Sequence, residues 1–252
     1  PLSVQDTTLC TTIGEKNTKN QVSTVEHLMA AFVGLNVDNA LVRVDAKEIP
    51  ILDGSSAPFV DKLDEVGIQV QEKKREIFEP TSPIELRRGD QFMRLDPWGK
   101  DDPTVDKTLL IDATINFPKS PIIGKQKLSL ALSREAFISI CEARTFCHVE
   151  SVNAMRASGL ALGGSLDNAI VINHQGILNN DGLRFKDEFI RHKVLDCIGD
   201  LGLFGKRIVG KLTTFKAGHQ LHCDFVTKLF DYEQSQHQTL ETPPPLTAVG
   251  NL

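Results

Sequence analysis

Apolar residues recur at helical spacing in several stretches of the chain. Between residues 22 and 32 they share one face of a helix, and Ser23 or Thr24 could cap its start. Gly34 would end this helix. The same spacing predicts further helices over residues 57–66, 187–204 and 220–230. The pattern therefore predicts two helices in the first third of the chain and two in its last third.

Apolar runs bounded by turn residues predict strands. Residues 41–44 alternate between apolar and polar positions, and residues 208–215 are typical of a buried strand. Other strands are predicted over residues 84–88, 91–95, 109–116 and 127–132. The polar stretch 71–76 is a candidate linker. We therefore predict two α+β domains, residues 1–73 and 74–252, the second ending in a loose C-terminal tail.

Composition narrows the function classes. The 252 residues are 40% hydrophobic, enough for a sizeable core, and a net charge of −5 gives no bulk attraction to nucleic acid or to an anionic membrane. The five cysteines are widely spread and lack the paired spacings of a disulfide framework or zinc ribbon. No apolar run reaches the roughly 18 residues of a membrane span. We predict a cytoplasmic protein with no nucleic-acid partner and no integral membrane contact.

Metal-ligating residue types occur on two predicted helices. His192 and Asp196 are four positions apart, so a helix places both side chains on one face, where they could share a divalent ion. Asp200 extends that face by another turn. His27 is the candidate third ligand, and Glu26 beside it could take a proton from water. Spacing alone leaves the alternative open, because Glu-His pairs at helix edges and His-x-x-x-Asp on solvated faces are common.

Longer motifs carry a specific resemblance. They are STVEHL at 23–28 with DN at 38–39, IPILDGS at 49–55, EARTF at 142–146, GLALGGSLDN at 159–168, DEFIRHKVLD at 187–196 with GDL at 199–201, and KAGH at 216–219. In this order, and over nearly the whole chain, they resemble the UDP-3-O-acyl-N-acetylglucosamine deacetylase family, zinc-dependent amidases of lipid A biosynthesis. Family members have strands ahead of the position of Pro1, so we expect the first domain to be N-terminally incomplete.

The resemblance implies a role for each matching residue. The ligands of one zinc ion per chain would be His27, His192 and Asp196. The catalytic residues would be Glu26 as general base, His219 as the imidazolium that stabilises the oxyanion and protonates the leaving amine, Thr145 as a hydroxyl donor, and Asp200 as the partner that orients His219. Substrate would contact Phe146, Lys193, Gly164 and Ser165. The other histidines, His148, His174, His222 and His237, have no argued partner and are interpreted as surface residues.

The resemblance also implies an architecture and a reaction. Two β-α-α-β domains of related topology would pack their helices between two sheets, and an insert at about 147–177 would line an acyl passage with Val152, Met155, Leu160 and Leu162. The monomeric enzyme would hydrolyse the 2-acetamido group of UDP-3-O-acyl-N-acetylglucosamine to an amine and acetate. Three alternatives remain: an inactive fragment, a non-catalytic nucleotide-sugar-binding protein, and a zinc amidase acting on another N-acyl sugar. Substrate contacts would decide whether the last applies.

Overall fold

The computed structural model describes residues 3–99, 108–152, 161 and 163–241, the last five without their side chains. In chain order the elements are β1 (Val4–Asp6), β2 (Thr12–Gly14), β3 (Gln21–Val22), α1 (Glu26–Gly34), α2 (Ala57–Val66), β4 (Ile77–Phe78), β5 (Ile84–Arg88), β6 (Gln91–Asp96), β7 (Leu109–Phe117), β8 (Gly124–Ala131), α3 (Arg134–Ile138), β9 (Phe146–His148), β10 (Ile170–Ile172), α4 (Glu188–Gly202), β11 (Arg207–Ile208), β12 (Gly210–Phe215) and α5 (His219–Glu241). The predicted mixed α+β class is confirmed. The predicted passage residues Met155, Leu160 and Leu162 and the C-terminal tail from residue 242 lie outside the described residues.

A five-stranded sheet forms the larger structural layer, in the order β5-β6-β12-β7-β8. Its hairpins β5–β6 and β7–β8 are antiparallel, whereas β12 enters between them and runs parallel to β7. The predicted strand over 208–215 is split at Val209, because Gly210 has a φ of +146° and the chain changes partner there. β11 pairs with β4, and β12 belongs to the large sheet.

The start of α1 differs from the prediction. The helix begins at Glu26, and its N-cap, Val25, makes no capping hydrogen bond through its side chain. Thr24 adopts a φ of +57°, and its hydroxyl donates to Glu48 Oε1 at 2.6 Å. The predicted capping by Ser23 or Thr24 is therefore wrong. A small antiparallel sheet, β1-β2-β3, precedes this helix.

The predicted strand at 41–44 is also wrong. No strand occupies residues 37–47, and Leu41 is 80% exposed. Among the described residues, no strand pairs with this segment. Its alternation of apolar and polar residues therefore does not place an apolar face against a core.

Helix α4 is the buried centre of the molecule and lies against α1, the sheet strands β7 and β8, and α5. Close approach to α1 depends on Gly199, where a Cβ atom would overlap the backbone carbonyl oxygen of Glu26. Gly202 faces Val33 one turn further along. These glycines bring the backbone of α4 against the start of α1, which places Glu26 and His27 beside the middle of α4.

Candidate active site

Three predicted ligand side chains meet between α1 and α4. His192 Nε2 lies 3.3 Å from Asp196 Oδ1, and His27 Nε2 lies 3.6 Å from the same oxygen. All three residues are buried. The i, i+4 spacing on α4 supplies one imidazole and the carboxylate, and the close packing of α1 supplies the second imidazole. The structure thus brings together two nitrogen donors and one oxygen donor from distant parts of the chain.

The orientation of His192 is set by the chain segment before β9. Its Nδ1 lies 2.9 Å from the carbonyl oxygen of Ala143. Because a carbonyl can only accept, Nδ1 carries the proton and Nε2 presents its lone pair to the group. Burial lowers the pKa of His192 to about 3 despite the attraction of Asp196. The ring is therefore neutral, the form that a metal ligand requires.

The carboxylate of Asp196 is only partly satisfied by the protein. Lys193 Nζ lies 2.7 Å from Oδ2, whereas Oδ1 is buried and has no hydrogen-bond partner among the described residues. His27 Nδ1 is also buried and has no hydrogen-bond partner among the described residues. Burial alone would raise the pKa of Asp196, but His192 and the Lys193 ammonium hold it well below its usual range. An ionised carboxylate with an unused oxygen facing two imidazoles fits a divalent cation such as zinc.

Glu26 lies at the first turn of α1, beside the metal-ligand group. Its side chain is buried, and Oε2 accepts a hydrogen bond of 3.0 Å from the backbone N–H of Thr11. Burial raises the pKa of Glu26, more strongly than the attraction of His27 and His219 lowers it. A carboxylate whose pKa is raised towards neutral pH is suited to take a proton during a reaction.

A second cluster surrounds Asp200, one helical turn beyond Asp196. Asp200 Oδ2 lies 2.8 Å from Nδ1 of His219 and 2.8 Å from Nδ1 of His222, and Thr11 Oγ1 donates to Oδ1 at 2.6 Å. Burial opposes ionisation, but the charge and hydrogen bond of His219 lower the pKa of Asp200 to about 2. Burial likewise opposes charge on His219, yet Asp200 and Asp196 raise its pKa to about 9. His219 is therefore an imidazolium at neutral pH.

The interpretation of His222 as a surface residue is wrong, since it is 1% exposed and hydrogen-bonded to Asp200. His222 follows His219 at i, i+3 on α5, so the spacing could have indicated that both rings face the same way. The sequence patterns also did not identify Thr11 as a residue of the site. Its contacts with Asp200 and Glu26 join a short strand to two helices, and no spacing along the chain signals them.

Phe146 lies beside the metal-ligand group, and Thr145 precedes it in the chain. The backbone N–H of Thr145 donates to the carbonyl of Gly54 at 2.8 Å, and its carbonyl accepts from Ile170 at 2.8 Å. The Phe146 ring centroid is 6.3 Å from that of His192, and Lys193 Nζ lies 5.6 Å from the Phe146 centroid. Lys193 thus bridges a candidate substrate-contact ring and the carboxylate of Asp196.

Gly164 and Ser165 occupy a turn that is stabilised locally. The N–H of Gly164 donates to the Ala161 carbonyl at 3.1 Å, and the N–H of Ser165 donates to Asn168 Oδ1 at 2.9 Å. The carbonyl oxygen of Asn168, at the end of this turn, lies against Gly54. A side chain at position 54 would overlap that oxygen, and Gly54 also has a φ of +83°.

Among the helices of the described residues, none combines the length and apolarity that crossing a membrane requires.

Known proteins match this chain over most of its length. The family model of UDP-3-O-acyl N-acetylglycosamine deacetylase matches residues 1–231. A protein named UDP-3-O-acyl-N-acetylglucosamine deacetylase from an Anaeromyxobacter species is 46% identical over 227 residues, which cover 90% of this chain and 71% of the relative. Relatives of the same name from Syntrophus aciditrophicus and from a Nitratiruptor species are 42% and 41% identical, and the matches cover 92% and 96% of this chain and 71% and 77% of the relatives.

Proposed function

The chain belongs to the UDP-3-O-acyl N-acetylglycosamine deacetylase family, and from that membership we propose how its buried residues carry out the reaction. It is a hydrolase of an amide bond, the 2-acetamido bond of UDP-3-O-acyl-N-acetylglucosamine, and acts in lipid A biosynthesis. One observation supports the chemistry most directly. His27, His192 and Asp196 lie together, Asp196 Oδ1 has no hydrogen-bond partner among the described residues, and His219 Nε2 is 3.8 Å from Asp196 Oδ2.

The metal is zinc, one ion per chain, held by His27, His192 and Asp196. This assignment is supported by the neutral His192 ring and by the unused Oδ1 of Asp196. When bound, the ion supplies a Lewis acid that polarises the amide carbonyl and lowers the pKa of water. The protein contributes the placement of the donors and a buried setting in which nearby charges interact strongly.

Glu26 is the general base. Its Oε2 is fixed by the Thr11 N–H, and its raised pKa makes it a better proton acceptor than an exposed carboxylate. It takes a proton from the attacking water as the new carbon–oxygen bond forms.

His219 is the acid. Asp200 holds its Nδ1, so the Nε2–H is directed towards the metal-ligand group, 3.8 Å from Asp196 Oδ2. There it stabilises the negative charge that develops on the carbonyl oxygen, together with the hydroxyl of Thr145. When the carbon–nitrogen bond breaks, the proton on Nε2 passes to the departing sugar amine, and acetate remains. Asp200 keeps its charge throughout, since its pKa is about 2.

Substrate contacts are assigned to Phe146, Lys193, Gly164 and Ser165. The Phe146 ring lies beside His192 and would pack on the sugar or acyl chain. The Lys193 ammonium is partly exposed and would meet a sugar oxygen or the diphosphate. The turn that contains Gly164 and Ser165 would offer backbone and hydroxyl groups, with the surrounding insert at about 147–177 lining the acyl chain.

The finer architecture and setting are proposed as well. Residues 1–73 and 74–252 form two α+β domains whose helices pack between two sheets, which is supported by the packing of α1 on α4 and of α4 on strands β7 and β8 of the large sheet. The five free thiols and the net charge of −5 support a cytoplasmic protein that does not bind nucleic acid. We propose that it acts as a monomer.

The proposed reaction is tested by measuring acetate and free amine released from UDP-3-O-acyl-N-acetylglucosamine by the purified chain. We expect both products in equal amounts, and only when metal is supplied. UDP-N-acetylglucosamine, which lacks the 3-O-acyl chain, is the matched control substrate and should react more slowly if the acyl chain is recognised. Acetate release without a free amine, or equal turnover of both substrates, would contradict the proposed specificity.

A further inference from the structure

Thr11 contacts both proton-transfer groups of the site. It immediately precedes β2 and is fully buried. Its backbone N–H donates to Glu26 Oε2 at 3.0 Å, and its hydroxyl donates to Asp200 Oδ1 at 2.6 Å. These carboxylates come from α1 and α4, so one residue just before β2 joins the candidate base to the partner of the candidate acid.

The peptide group of Thr11 is fixed relative to α1. Its carbonyl accepts a hydrogen bond of 3.3 Å from the backbone N–H of Val25, the residue that caps α1. The same residue thus donates to the first side chain of the helix and accepts from its cap. Because both contacts use the backbone, they set the distance between β2 and the carboxylate of Glu26 regardless of the side chain at position 11.

The hydroxyl of Thr11 completes the donor set around Asp200. His219 and His222 occupy Oδ2, and Thr11 occupies Oδ1. Thr11 Oγ1 also lies 3.3 Å from His219 Nδ1, on the side of the ring that faces Asp200. Without the hydroxyl, Oδ1 would lose its donor in a buried setting, and the carboxylate could rotate away from the orientation that directs His219.

We propose that Thr11 is a positioning residue for the deacetylation. Its backbone holds Glu26 and its hydroxyl holds the Asp200–His219 pair, so that base and acid keep a fixed separation across the metal-ligand group. The inference rests on the proposed function of those residues, but it concerns a side chain that does not itself exchange a proton with substrate.

Two substitutions and one matched control test this role. Thr11→Val keeps the shape and the backbone contacts but removes the hydroxyl, whereas Thr11→Ser keeps the hydroxyl. Thr12→Val is the control, because Thr12 is also buried and donates its hydroxyl to Ser23 Oγ at 2.9 Å, away from Asp200. We expect Thr11→Val to lower kcat about 10- to 100-fold with KM and bound metal unchanged, and Thr11→Ser to restore most of the loss. Thr12→Val should leave kcat near the wild-type value.

A double-mutant cycle with Asp200→Asn shows through which residue Thr11 acts. If the hydroxyl acts through Asp200, Thr11→Val should lower kcat far less in the Asp200→Asn background than in the wild-type enzyme. The inference would be overturned if the fold loss of kcat in the double variant equalled the product of the two single losses, or if Thr11→Val had the wild-type kcat. Either result would leave the proposed function intact. If Thr11→Val does not fold, Thr11→Ala serves in the same cycle. Absence of turnover in the wild-type chain with metal bound would overturn both.

Discussion

The two clusters around α4 contain the same residue types but favour opposite charge states of histidine. One contains His27, His192 and Asp196, and the other contains Asp200, His219 and His222. In the first, a carboxylate oxygen has no donor among the described residues and the pKa of His192 is lowered to about 3. In the second, both oxygens of the carboxylate accept hydrogen bonds and the pKa of His219 is raised to about 9.

The difference shows that hydrogen-bond partners, more than residue types, decide what such a cluster does. The backbone carbonyl of Ala143 fixes a neutral His192 with its lone pair free, which suits a cation. The carboxylate of Asp200, bonded to Thr11, fixes a charged His219 with its second proton free, which suits an acid. On the proposed assignment, Asp196 and Asp200, on adjacent turns of α4, would serve metal binding and proton transfer respectively.

The largest expected effect comes from removing a ligand of the first cluster. His192→Ala should lose bound metal and measurable turnover together, because one of only three protein donors is gone. Metal content by mass spectrometry and acetate release, measured on the same sample, check this. His174→Ala is the matched control, since that histidine side chain is 91% exposed and should bind metal normally. Retention of one metal ion by His192→Ala would contradict the ligand assignment.

Glu26→Gln should separate turnover from metal binding. The amide cannot take a proton, so we expect kcat to fall about 10²- to 10⁴-fold while metal content stays at the wild-type value. The glutamine side chain can still accept the hydrogen bond from the Thr11 backbone, which keeps the local structure. Full turnover by this variant would show that Glu26 is not the base.

The second cluster should set the alkaline limit of activity. The pKa of His219 is raised to about 9, so its proton is present below that pH and is lost above it. We expect kcat to fall about tenfold for each pH unit beyond the pKa of His219. His219→Gln should lower kcat and abolish the decrease of kcat at alkaline pH, whereas His174→Gln should leave that decrease in place. The same profile for wild type and His219→Gln would contradict the assignment.

The smallest expected effect concerns the helix contact that aligns the two clusters. Gly199→Ala should destabilise the fold by about 1–3 kcal/mol, because the new methyl group overlaps the Glu26 carbonyl. Thermal unfolding measures the change. Gly176→Ala, where a Cβ atom would meet no atom within 4 Å, is the control. Equal stability of the two variants would show that the close approach of α1 and α4 does not depend on Gly199.

The sequence predicted the parts of the site that follow helical spacing. His192 and Asp196 are one turn apart, and the Glu26-His27 pair on another predicted helix supplied the candidate base and third ligand, roles that the motif resemblance also implies. It did not predict Thr11, because that contact joins residues 189 positions apart and begins in a sheet whose strands have only two or three residues. The failed strand at 41–44 has a related cause, since pairing depends on a neighbour that local alternation does not reveal.

The central claim, that the first cluster holds a catalytic metal and the second does not, is tested by titrating zinc into chelator-stripped protein while acetate release is measured. We predict that turnover rises from zero and reaches its plateau at one equivalent of zinc for the wild type, and that it shows no rise for His192→Ala. Turnover by the stripped protein, or a plateau that is reached only at two equivalents, would contradict the account.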